Sequence, residues 1–535
     1  MKLVNNLLAC VLVLFTVTLH AQHTRVIPQP LKVESKEGSY TITPKVKIIA
    51  DKNDYNAQFL KELLEEEYQL DLKIAGKGKK GIILKLDTAL SNELGEEGYT
   101  LEVLKNKIEI KAPNTTGVFY GIQTLRQLIK NNGEVAAVSI TDNPRFAWRA
   151  FMLDEARYFK GKEQVKKLLD QMALLKMNVF HWHLTDDQGW RIEIKKYPKL
   201  TEVGGFRSNT QIGGWNSEKR SGEPHGGYYT QDEIKEIIEY AAARHIKVVP
   251  EIEMPGHASA AIAAYPWLGT IGELKEVPVV FGKLPDSYNV ADPKVFQFLE
   301  DVLLEVMNLF PEKTIHIGGD EVKFDAWKES EFVQNFMKEN KLNTPTDLQI
   351  FFTNKISNFL DKYDHRMMGW NEVLGGNVHE WQKKEDMETK EELAQSTIVH
   401  FWKGNLDMVT DAVNRGYDIV NSYHVFTYLD YNYGYTPIEN SYSFDPVPEG
   451  LDAKYHEKVL GLGCQMWSEW IPTVQDMDRM VFPRLAAYAE VGWTAKDRKN
   501  FDVFIENLNP ILDHWEKKGI KYADKFRKAD FKEVK

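Results

Sequence analysis

The stretch TIHIGGDEV, residues 314–322, carries the pattern that decides the fold. It begins as an apolar, β-rich run, passes through two glycines and ends in two adjacent carboxylates, Asp320 and Glu321. Neighbouring carboxylates repel each other, so a chain has little reason to place them at the end of a buried strand unless both are used. The stretch therefore indicates a buried strand whose far end carries a function.

The same pattern recurs throughout the second part of the chain. Helical segments such as 161–177, 231–245 and 292–310, with apolar residues at helical spacing, lie between the repeats. Strands that alternate with helices in this way predict an α/β fold, a (β/α)8 TIM barrel, in which the carboxyl ends of the strands form the active-site face. The further runs are FMLDEAR (151–157), VFHWHLTDD (179–187), KVVPEIEMPGH (247–257), RMMGWNE (366–372), TIVHFWKG (397–404), DIVNSYHVFTYLD (418–430) and GLGCQMWSEW (461–470).

A smaller α/β domain is predicted before the barrel, over residues 22–143. Short β-rich runs such as GIILKL (81–86) and KIEIKA (107–112) alternate there with helical patterns such as GVFYGIQTLRQLIK (117–130). Asn143-Pro144 then interrupts the pattern, and the catalytic barrel is predicted over residues 144–535. We find no obvious chemistry in the first domain.

The chain opens with features of a secretory signal peptide at residues 1–21. A lysine precedes an apolar run, and Ala21 is the small residue expected at a cleavage site. We therefore expect an exported protein, in the periplasm or the medium. The alternatives are an uncleaved membrane anchor and a lipoprotein attached at Cys10. Cleavage would leave Cys464 alone, which excludes an intramolecular disulfide and favours a buried, inert thiol. No other segment offers the ~20 apolar residues that a membrane span needs.

The composition of the chain limits the classes of molecule that it is expected to bind. The formal net charge is -11 at pH 7, and no basic stripe indicates nucleic-acid binding. The 13 tryptophans and 23 tyrosines suit flat walls on which sugars stack, although large core aromatics also account for many of them. The oligomeric state stays open.

Several chemistries compete for the predicted barrel mouth. His181, His183, His257, Asp186 and Asp320 could form the site of a metal-dependent amidohydrolase, since His181 and His183 lie on one face of a strand. The glycines of GGFRS and IGG are too weak a signal for phosphate binding. Carboxylates combined with tryptophans fit glycoside hydrolysis best, because sugars offer apolar faces to tryptophan and hydroxyls to carboxylates and arginine.

The ordered set of motifs resembles glycoside hydrolase family 20, the β-N-acetylhexosaminidases. The resemblance covers the whole mature chain, and one departure is Tyr158, where family members commonly carry histidine. A catalytically inactive carbohydrate-binding protein on the same fold is the competing class. The matching stretches are PRFAWR with MLDEARYF, NVFHWHLTDDQGWRIE, EIEMPGH, HIGGDEV, MMGWNE, the tryptophan of HFWKG, YLD and MWSE.

The resemblance implies a substrate-assisted, retaining mechanism without metal or cofactor. In this family the 2-acetamido group of the sugar attacks its own anomeric carbon and forms an oxazolinium ion. Glu321 would then be the acid and Asp320 the anion that orients the acetamido group, aimed by the two glycines. We expect an ionised Asp320 to hinder loss of the Glu321 proton and so keep an acid available near neutral pH.

The remaining roles also follow from the resemblance. Asp186 and His257 are expected to form a relay to Glu321, and Arg157 to bind the 3- and 4-hydroxyls unless it is only an ion-pair partner of Asp154. These assignments predict exo action on terminal β-linked N-acetylglucosamine or N-acetylgalactosamine, and the sequence does not separate the two sugars. The other expected binding residues are Tyr428 for the acetamido carbonyl, Asp430 and Glu469 for outer hydroxyls, and Trp370, Trp402 and Trp467 for the walls.

Overall fold

The computed structural model describes residues 24–531 except 377, 380, 381, 383–387 and 389. The signal peptide predicted at residues 1–21, with Cys10, lies outside the described residues. Cys464 is buried, and burial raises the pKa of its thiol. Within the described part of the chain, no helix combines the length and the apolar character that crossing a membrane requires.

The first part of the chain forms a mixed seven-stranded sheet in the order β1-β7-β5-β6-β4-β2-β3. Alternate side chains of β5 and β6 are buried, which is the period of strands with one face against a helix, and α3 packs there. The strands are β1 (Lys32–Thr41), β2 (Lys47–Ile49), β3 (Lys73–Ala75), β4 (Gly81–Leu86), β5 (Tyr99–Leu104), β6 (Lys107–Ala112) and β7 (Glu134–Asp142), and the helices are α1 (Tyr55–Tyr68), α2 (Ser91–Leu94) and α3 (Thr115–Leu128).

The second part closes into a barrel of eight parallel strands, which confirms the predicted fold. Each of the eight runs singled out in the sequence overlaps one barrel strand, and β8 and β19 begin three and two residues before their runs. The barrel strands are β8 (Trp148–Asp154), β9 (Val179–His183), β14 (Lys247–Glu251), β15 (Thr314–His316), β16 (Arg366–Trp370), β17 (Ile398–Phe401), β18 (Asp418–Asn421) and β19 (Val459–Met466).

Helices and two small ribbons surround the barrel. The ribbons pair β10 (Thr185–Asp186) with β11 (Gly189–Trp190) and β12 (Phe206–Arg207) with β13 (His225–Gly226). The helices are α4 (Lys162–Leu174), α5 (Lys199–Glu202), α6 (Gln231–Ala242), α7 (Ser259–Ala264), α8 (Pro293–Leu309), α9 (Asp325–Glu329), α10 (Glu331–Glu339), α11 (Pro345–Lys362), α12 (Leu406–Asn414), α13 (His424–Thr427), α14 (Ile438–Ser443), α15 (Val474–Val481), α16 (Arg484–Trp493) and α17 (Phe501–Lys517).

The barrel interior changes from apolar to charged along its axis. An apolar cluster that includes Ala150, Val179 and Val249 fills the end nearer the strands' amino termini. At the carboxyl end, the strand register places His183 beside both Asp154 and Glu251. The charged layer therefore lies directly beneath the face on which the predicted site forms.

A buried ion pair joins the two parts of the chain. Nζ of Lys176, in the loop after α4, lies 2.9 Å from Oδ2 of Asp142 at the end of β7, and neither side chain is exposed. Lys176 also donates to the Tyr99 hydroxyl at 2.9 Å and lies 4.4 Å from the centre of the Trp493 ring. The charge on Lys176 thus has its partners in both parts.

Candidate active site

The acidic pair lies on a tight loop directly after β15. Gly318 and Gly319 have φ values of +66° and +89°, and Glu321 itself has a φ of +53°. Such values lie in the left-handed region that favours glycine. A Cβ atom on Gly318 would overlap the Glu253 carboxyl, and one on Gly319 would come 2.6 Å from Cγ1 of Val373. Both glycines are therefore required, and they form the turn that the sequence suggested.

A cavity of about 800 Å³ opens at this loop. Asp320 and Glu321 both line it, so the turn brings two consecutive side chains to the same space. Two of the side chains predicted for the site, Asp186 and Trp370, are buried behind the lining instead. The predicted residues that line the cavity are Arg157, His257, Asp320, Glu321, Trp402, Tyr428, Asp430, Trp467 and Glu469.

Asp320 is the less acidic carboxyl of the pair. Burial raises the pKa of Asp320 to about 7 against the opposing charge of His257, and the neighbouring Glu321 carboxylate contributes to the rise. Its Oδ1 atom is buried and has no hydrogen-bond partner among the described residues. Buried polar atoms are normally satisfied, so this oxygen is placed to accept a hydrogen bond from a bound molecule.

The protonation of Glu321 is opposite to the sequence-based expectation. Burial acts to raise its pKa, but His379, His257 and Lys283 outweigh burial and lower the pKa of Glu321 to about 2. Nε2 of His379 and Nζ of Lys283 each lie 3.1 Å from Oε1 of Glu321. The expectation considered only the Asp320 charge and was wrong, because the hydrogen bond from His379 and the charge of Lys283 come from loops that the motif does not contain.

His257 stands between two pairs of carboxylates. Its Nδ1 lies 3.0 Å from Oδ2 of Asp187 and 3.3 Å from Oδ1 of Asp186, and its Nε2 lies 3.9 Å from a carboxylate oxygen of both Asp320 and Glu321. Burial lowers the pKa of His257, but the two aspartates raise it well above the usual value. Asp186 was the predicted partner of His257, but Asp187, which was not predicted, makes the shorter contact.

Arg157 joins the lining to the layer beneath it. Its Nη2 lies 2.7 Å from Oδ2 of Asp186, and its Nη1 lies 3.5 Å from Oδ2 of Asp154. The guanidinium also lies 5.1 Å from the centre of the Trp467 ring. The two readings of Arg157 are therefore compatible, since it pairs with Asp154 and also lines the cavity.

Asp430 and Glu469 bring two further carboxyls to the cavity from the segments that follow β18 and β19. Burial raises the pKa of Asp430 to about 8, and the charge of Glu469 adds to that effect. Burial also raises the pKa of Glu469, although Arg157 opposes the rise. Oδ1 of Asp430 is buried without a hydrogen-bond partner among the described residues, as expected of a group that binds a hydroxyl of a ligand.

Aromatic rings form a compact wall beside the acidic pair. The rings of Trp402 and Tyr428 are nearly parallel, at 9°, with centres 6.0 Å apart, and the Trp467 ring centre lies 6.1 Å from that of Tyr428. Trp370 lies behind them, 6.0 Å from Trp467 and 6.5 Å from Trp402. Trp370 therefore supports the wall in this structure and does not itself line the cavity.

The outer part of the cavity contains aromatic residues that the sequence analysis did not name. Trp215 and Tyr435 are 58% and 63% exposed, and Trp470 packs edge-on against Trp215 with ring centres 5.2 Å apart. Exposed tryptophan is uncommon in a folded chain. Trp215 and Tyr435 lie on loops outside the motifs, and Trp470 ends the run GLGCQMWSEW, where the sequence alone does not separate it from a core aromatic.

The five residues weighed for a metal site do not form one common set of ligands, although four of them are in contact in series from His183 through Asp186 and His257 to Asp320. Four groups of three potential ligands occur among the described residues, and none holds more than two of the five residues of the amidohydrolase hypothesis. His183 Nε2 instead contacts Asp186 Oδ2 at 3.0 Å, and His257 contacts Asp187. These hydrogen bonds between histidines and aspartates account for the positions of the side chains.

Comparisons with protein families agree with this arrangement. The sequence model of the glycosyl hydrolase family 20 catalytic domain matches residues 146–496, and that of the family's domain 2 matches residues 23–143. A β-hexosaminidase of Porphyromonas gingivalis is 36% identical over 93% of this chain and 64% of its own length. A β-hexosaminidase of Vibrio furnissii is 33% identical over 88% of this chain and 76% of its own length.

Solved structures show the same similarity. A family 20 exo β-N-acetylglucosaminidase from Vibrio harveyi, solved in complex with N-acetylglucosamine, is 32% identical with a TM-score of 0.82, over 94% of this chain and 78% of that chain. A β-N-acetylhexosaminidase from Bacteroides fragilis is 30% identical with a TM-score of 0.78, over 94% of this chain and 98% of that one. This chain therefore spans nearly the full length of one solved relative and 64% of the length of the P. gingivalis protein.

Proposed function

Because the chain belongs to glycosyl hydrolase family 20, we propose that it hydrolyses terminal, non-reducing β-linked N-acetylhexosamine from glycans or chitooligosaccharides. The observation that carries the proposal is the turn that presents both Asp320 and Glu321 to one cavity, beside the wall of Trp402 and Tyr428. One carboxyl can then act as the proton donor while the other interacts with the sugar's own acetamido group.

The proposed mechanism assigns a different task to each carboxyl. Glu321 protonates the leaving oxygen, and Asp320 accepts a hydrogen bond from the acetamido N–H while the acetamido oxygen attacks the anomeric carbon. The Asp320 Oδ1 atom, buried and without a partner among the described residues, supports this role. Attack by the substrate's own group followed by attack of water retains the anomeric configuration and needs no covalent bond to the enzyme.

The neighbouring groups supply binding and proton control. His257, which lies 3.9 Å from both carboxylates, would respond to the proton on Glu321 as it changes from acid to base. Tyr428 would hold the acetamido carbonyl, with Trp402 and Trp467 around the methyl group and the sugar face, and Trp370 behind them. Arg157, Asp430 and Glu469 would bind the outer hydroxyls, since their polar groups line the same cavity.

A direct test compares substrates and an inhibitor. The purified protein should hydrolyse an aryl N-acetyl-β-glucosaminide and be nearly inactive on the aryl β-glucoside, which lacks the acetamido nucleophile. A thiazoline mimic of the cyclised intermediate should bind far more tightly than free N-acetylglucosamine. A sugar ester trapped on any aspartate or glutamate would refute the mechanism, and binding of N-acetylglucosamine without turnover would identify a carbohydrate-binding protein.

We also propose that the protein is exported. The support is the sequence of residues 1–21, which combines an early lysine, an apolar run and Ala21. Edman sequencing of protein purified from the native host should begin at or near Gln22. An N-terminus at Met1, or a lipid on Cys10, would contradict this proposal.

A further inference from the structure

A second layer of charged side chains lies beneath the cavity, and the proposed chemistry does not use it. Its centre is Glu251, fully buried at the carboxyl end of β14. Four nitrogens approach its carboxylate: Nδ1 of His183 at 2.6 Å and Nε2 of His181 at 2.9 Å from Oε2, and Nδ1 of His316 and Nε1 of Trp370 at 2.9 Å from Oε1. Burial opposes ionisation, but the three histidines lower the pKa of Glu251 well below its usual value.

His183 connects this carboxylate to a second one. Its Nδ1 lies 2.6 Å from Glu251, and its Nε2 lies 3.0 Å from Oδ2 of Asp186. An ionised carboxylate only accepts hydrogen bonds, so both ring nitrogens of His183 must carry a proton and the ring must be an imidazolium. Burial disfavours that form, but Glu251 and Asp186 raise the pKa of His183 to about 10.

Asp186 in turn holds two groups of the proposed site. Its Oδ2 accepts from Nη2 of Arg157 at 2.7 Å, and its Oδ1 lies 3.3 Å from Nδ1 of His257. A series of alternating charges thus runs from Glu251 through His183 and Asp186 to side chains that line the cavity. Glu251 also anchors Trp370, which stands behind the aromatic wall.

We infer that Glu251 and His183 are positioning residues, which fix Asp186 and, through it, the Arg157 guanidinium and the His257 ring for the reaction. This inference rests on the proposed function. Neither Glu251 nor His183 has any solvent exposure or lines the cavity, so neither can touch the substrate. Their effect must pass through the side chains that they hold.

The test begins with Glu251→Gln, which preserves shape and removes the charge. An amide has one accepting oxygen, so the donors that face its NH2 group lose their partner. We expect kcat/KM to fall by about 100-fold on N,N′-diacetylchitobiose, since small misplacements of reacting groups have effects of this size. The loss should be smaller on a 2,4-dinitrophenyl N-acetylglucosaminide. That leaving group needs little protonation by Glu321, so a misplaced His257 next to Glu321 should matter less.

A second variant shows whether the two residues act together. His183→Gln breaks the same series one step closer to the cavity and should give a similar loss with the same dependence on the leaving group. The double variant should lose little more than either single variant, because residues that act through one contact are not additive. Glu490→Gln is the matched control: Glu490 is a buried carboxyl on α16 that accepts from the backbone N–H of Gln29 at 2.8 Å, and kinetics should not change.

Several outcomes would overturn the inference. The first is wild-type kinetics in Glu251→Gln. The second is an equal loss of kcat/KM on both substrates, and the third is a fully additive loss in the double variant. A purely structural ion pair would give the second and third outcomes. If Glu251→Gln fails to fold, His183→Gln alone decides on the same criteria. If the wild-type protein hydrolyses neither substrate, the proposed function fails separately. A crystal structure of Glu251→Gln then decides, because unmoved Asp186 and Arg157 side chains overturn the inference and displaced ones support it.

Discussion

Nζ of Lys283 lies 3.1 Å from Oε1 of Glu321. The carboxyl that the proposed mechanism requires as an acid is therefore paired with a cation in this structure, and its lowered pKa reflects that pairing together with His379 and His257. A proton must reach Glu321 when the glycosidic oxygen arrives.

Replacing Glu321 with Gln should separate substrates by leaving group. A general acid contributes about 100- to 10,000-fold, so we expect a loss of that size on chitobiose. Much less should be lost on the dinitrophenyl glycoside, whose leaving group needs no proton. Steady-state kinetics on both substrates provide the measurement, and equal losses would remove Glu321 from the acid role.

The pH dependence of kcat/KM should reflect the carboxyl pair. With the pKa of Glu321 at about 2 and that of Asp320 at about 7, the pair holds one proton between those values. Catalysis needs that single proton, so kcat/KM should fall as the pH rises through about 7 and the pair becomes doubly ionised. The two values belong to the pair as a whole, because the groups interact.

Asp320→Asn tests the assignment of that proton. The substitution removes the group that retains it, and a neutral amide also removes the charge that hinders ionisation of Glu321. The decline of kcat/KM should therefore move to lower pH, and thiazoline binding should weaken because an anion no longer faces the acetamido N–H. A pH–rate profile with an unchanged upper limb would contradict the model.

Exo action should be visible in the product pattern. Arg157, Asp430 and Glu469 reach one cavity from the segments that follow three barrel strands, and a sugar extended at C3 or C4 would place a bulky oxygen against them. A polar group left unpaired in a buried site costs about 1–3 kcal/mol, and charged groups cost more. Chitohexaose should yield N-acetylglucosamine and chitopentaose at the first time points by chromatography, whereas early dimers or trimers would show that the assignment is wrong.

Asp142→Ala should strongly destabilise the protein. It leaves Lys176 buried without its carboxylate partner, and breaking a buried pair in this way costs about 3–5 kcal/mol. The matched control is Lys313→Ala, which breaks an ion pair of the same 2.9 Å length between the exposed side chains of Lys313 and Asp364 and should cost about 1 kcal/mol or less. Thermal scans of both variants provide the comparison. Similar shifts in Tm would show that the buried ion pair between Lys176 and Asp142 does not stabilise the contact between the two parts of the chain.

Much of the architecture could be predicted because barrel strands have a strong sequence pattern. Each run from FMLDEAR to GLGCQMWSEW begins apolar and becomes polar toward or beyond the carboxyl end of its strand, so strand and site residues come from the same stretch. The turn at Gly318 and Gly319 was also readable, since consecutive glycines before two carboxylates indicate an unusual backbone. These features depend on local sequence alone.

The features that the sequence did not reveal depend on contacts between distant loops. Lys283 and His379 reach Glu321 from segments 38 residues before it and 58 residues after it, and they reverse its expected protonation. Asp187 and Asp186 are adjacent, and only the position of the His257 ring shows which one is nearer. The placement of Trp370 behind the wall likewise depends on its hydrogen bond to Glu251.

The left-handed backbone at Glu321 bears on how this protein could be engineered for heat tolerance. A non-glycine residue in that conformation costs about 1–2 kcal/mol, so a glycine at position 321 would relieve the backbone while deleting the proposed acid. A library screened only for survival on heating would therefore enrich variants that have lost the carboxyl. Position 321 must be held constant, or turnover must be scored in every round, because thermal tolerance and hydrolysis select for opposite residues there.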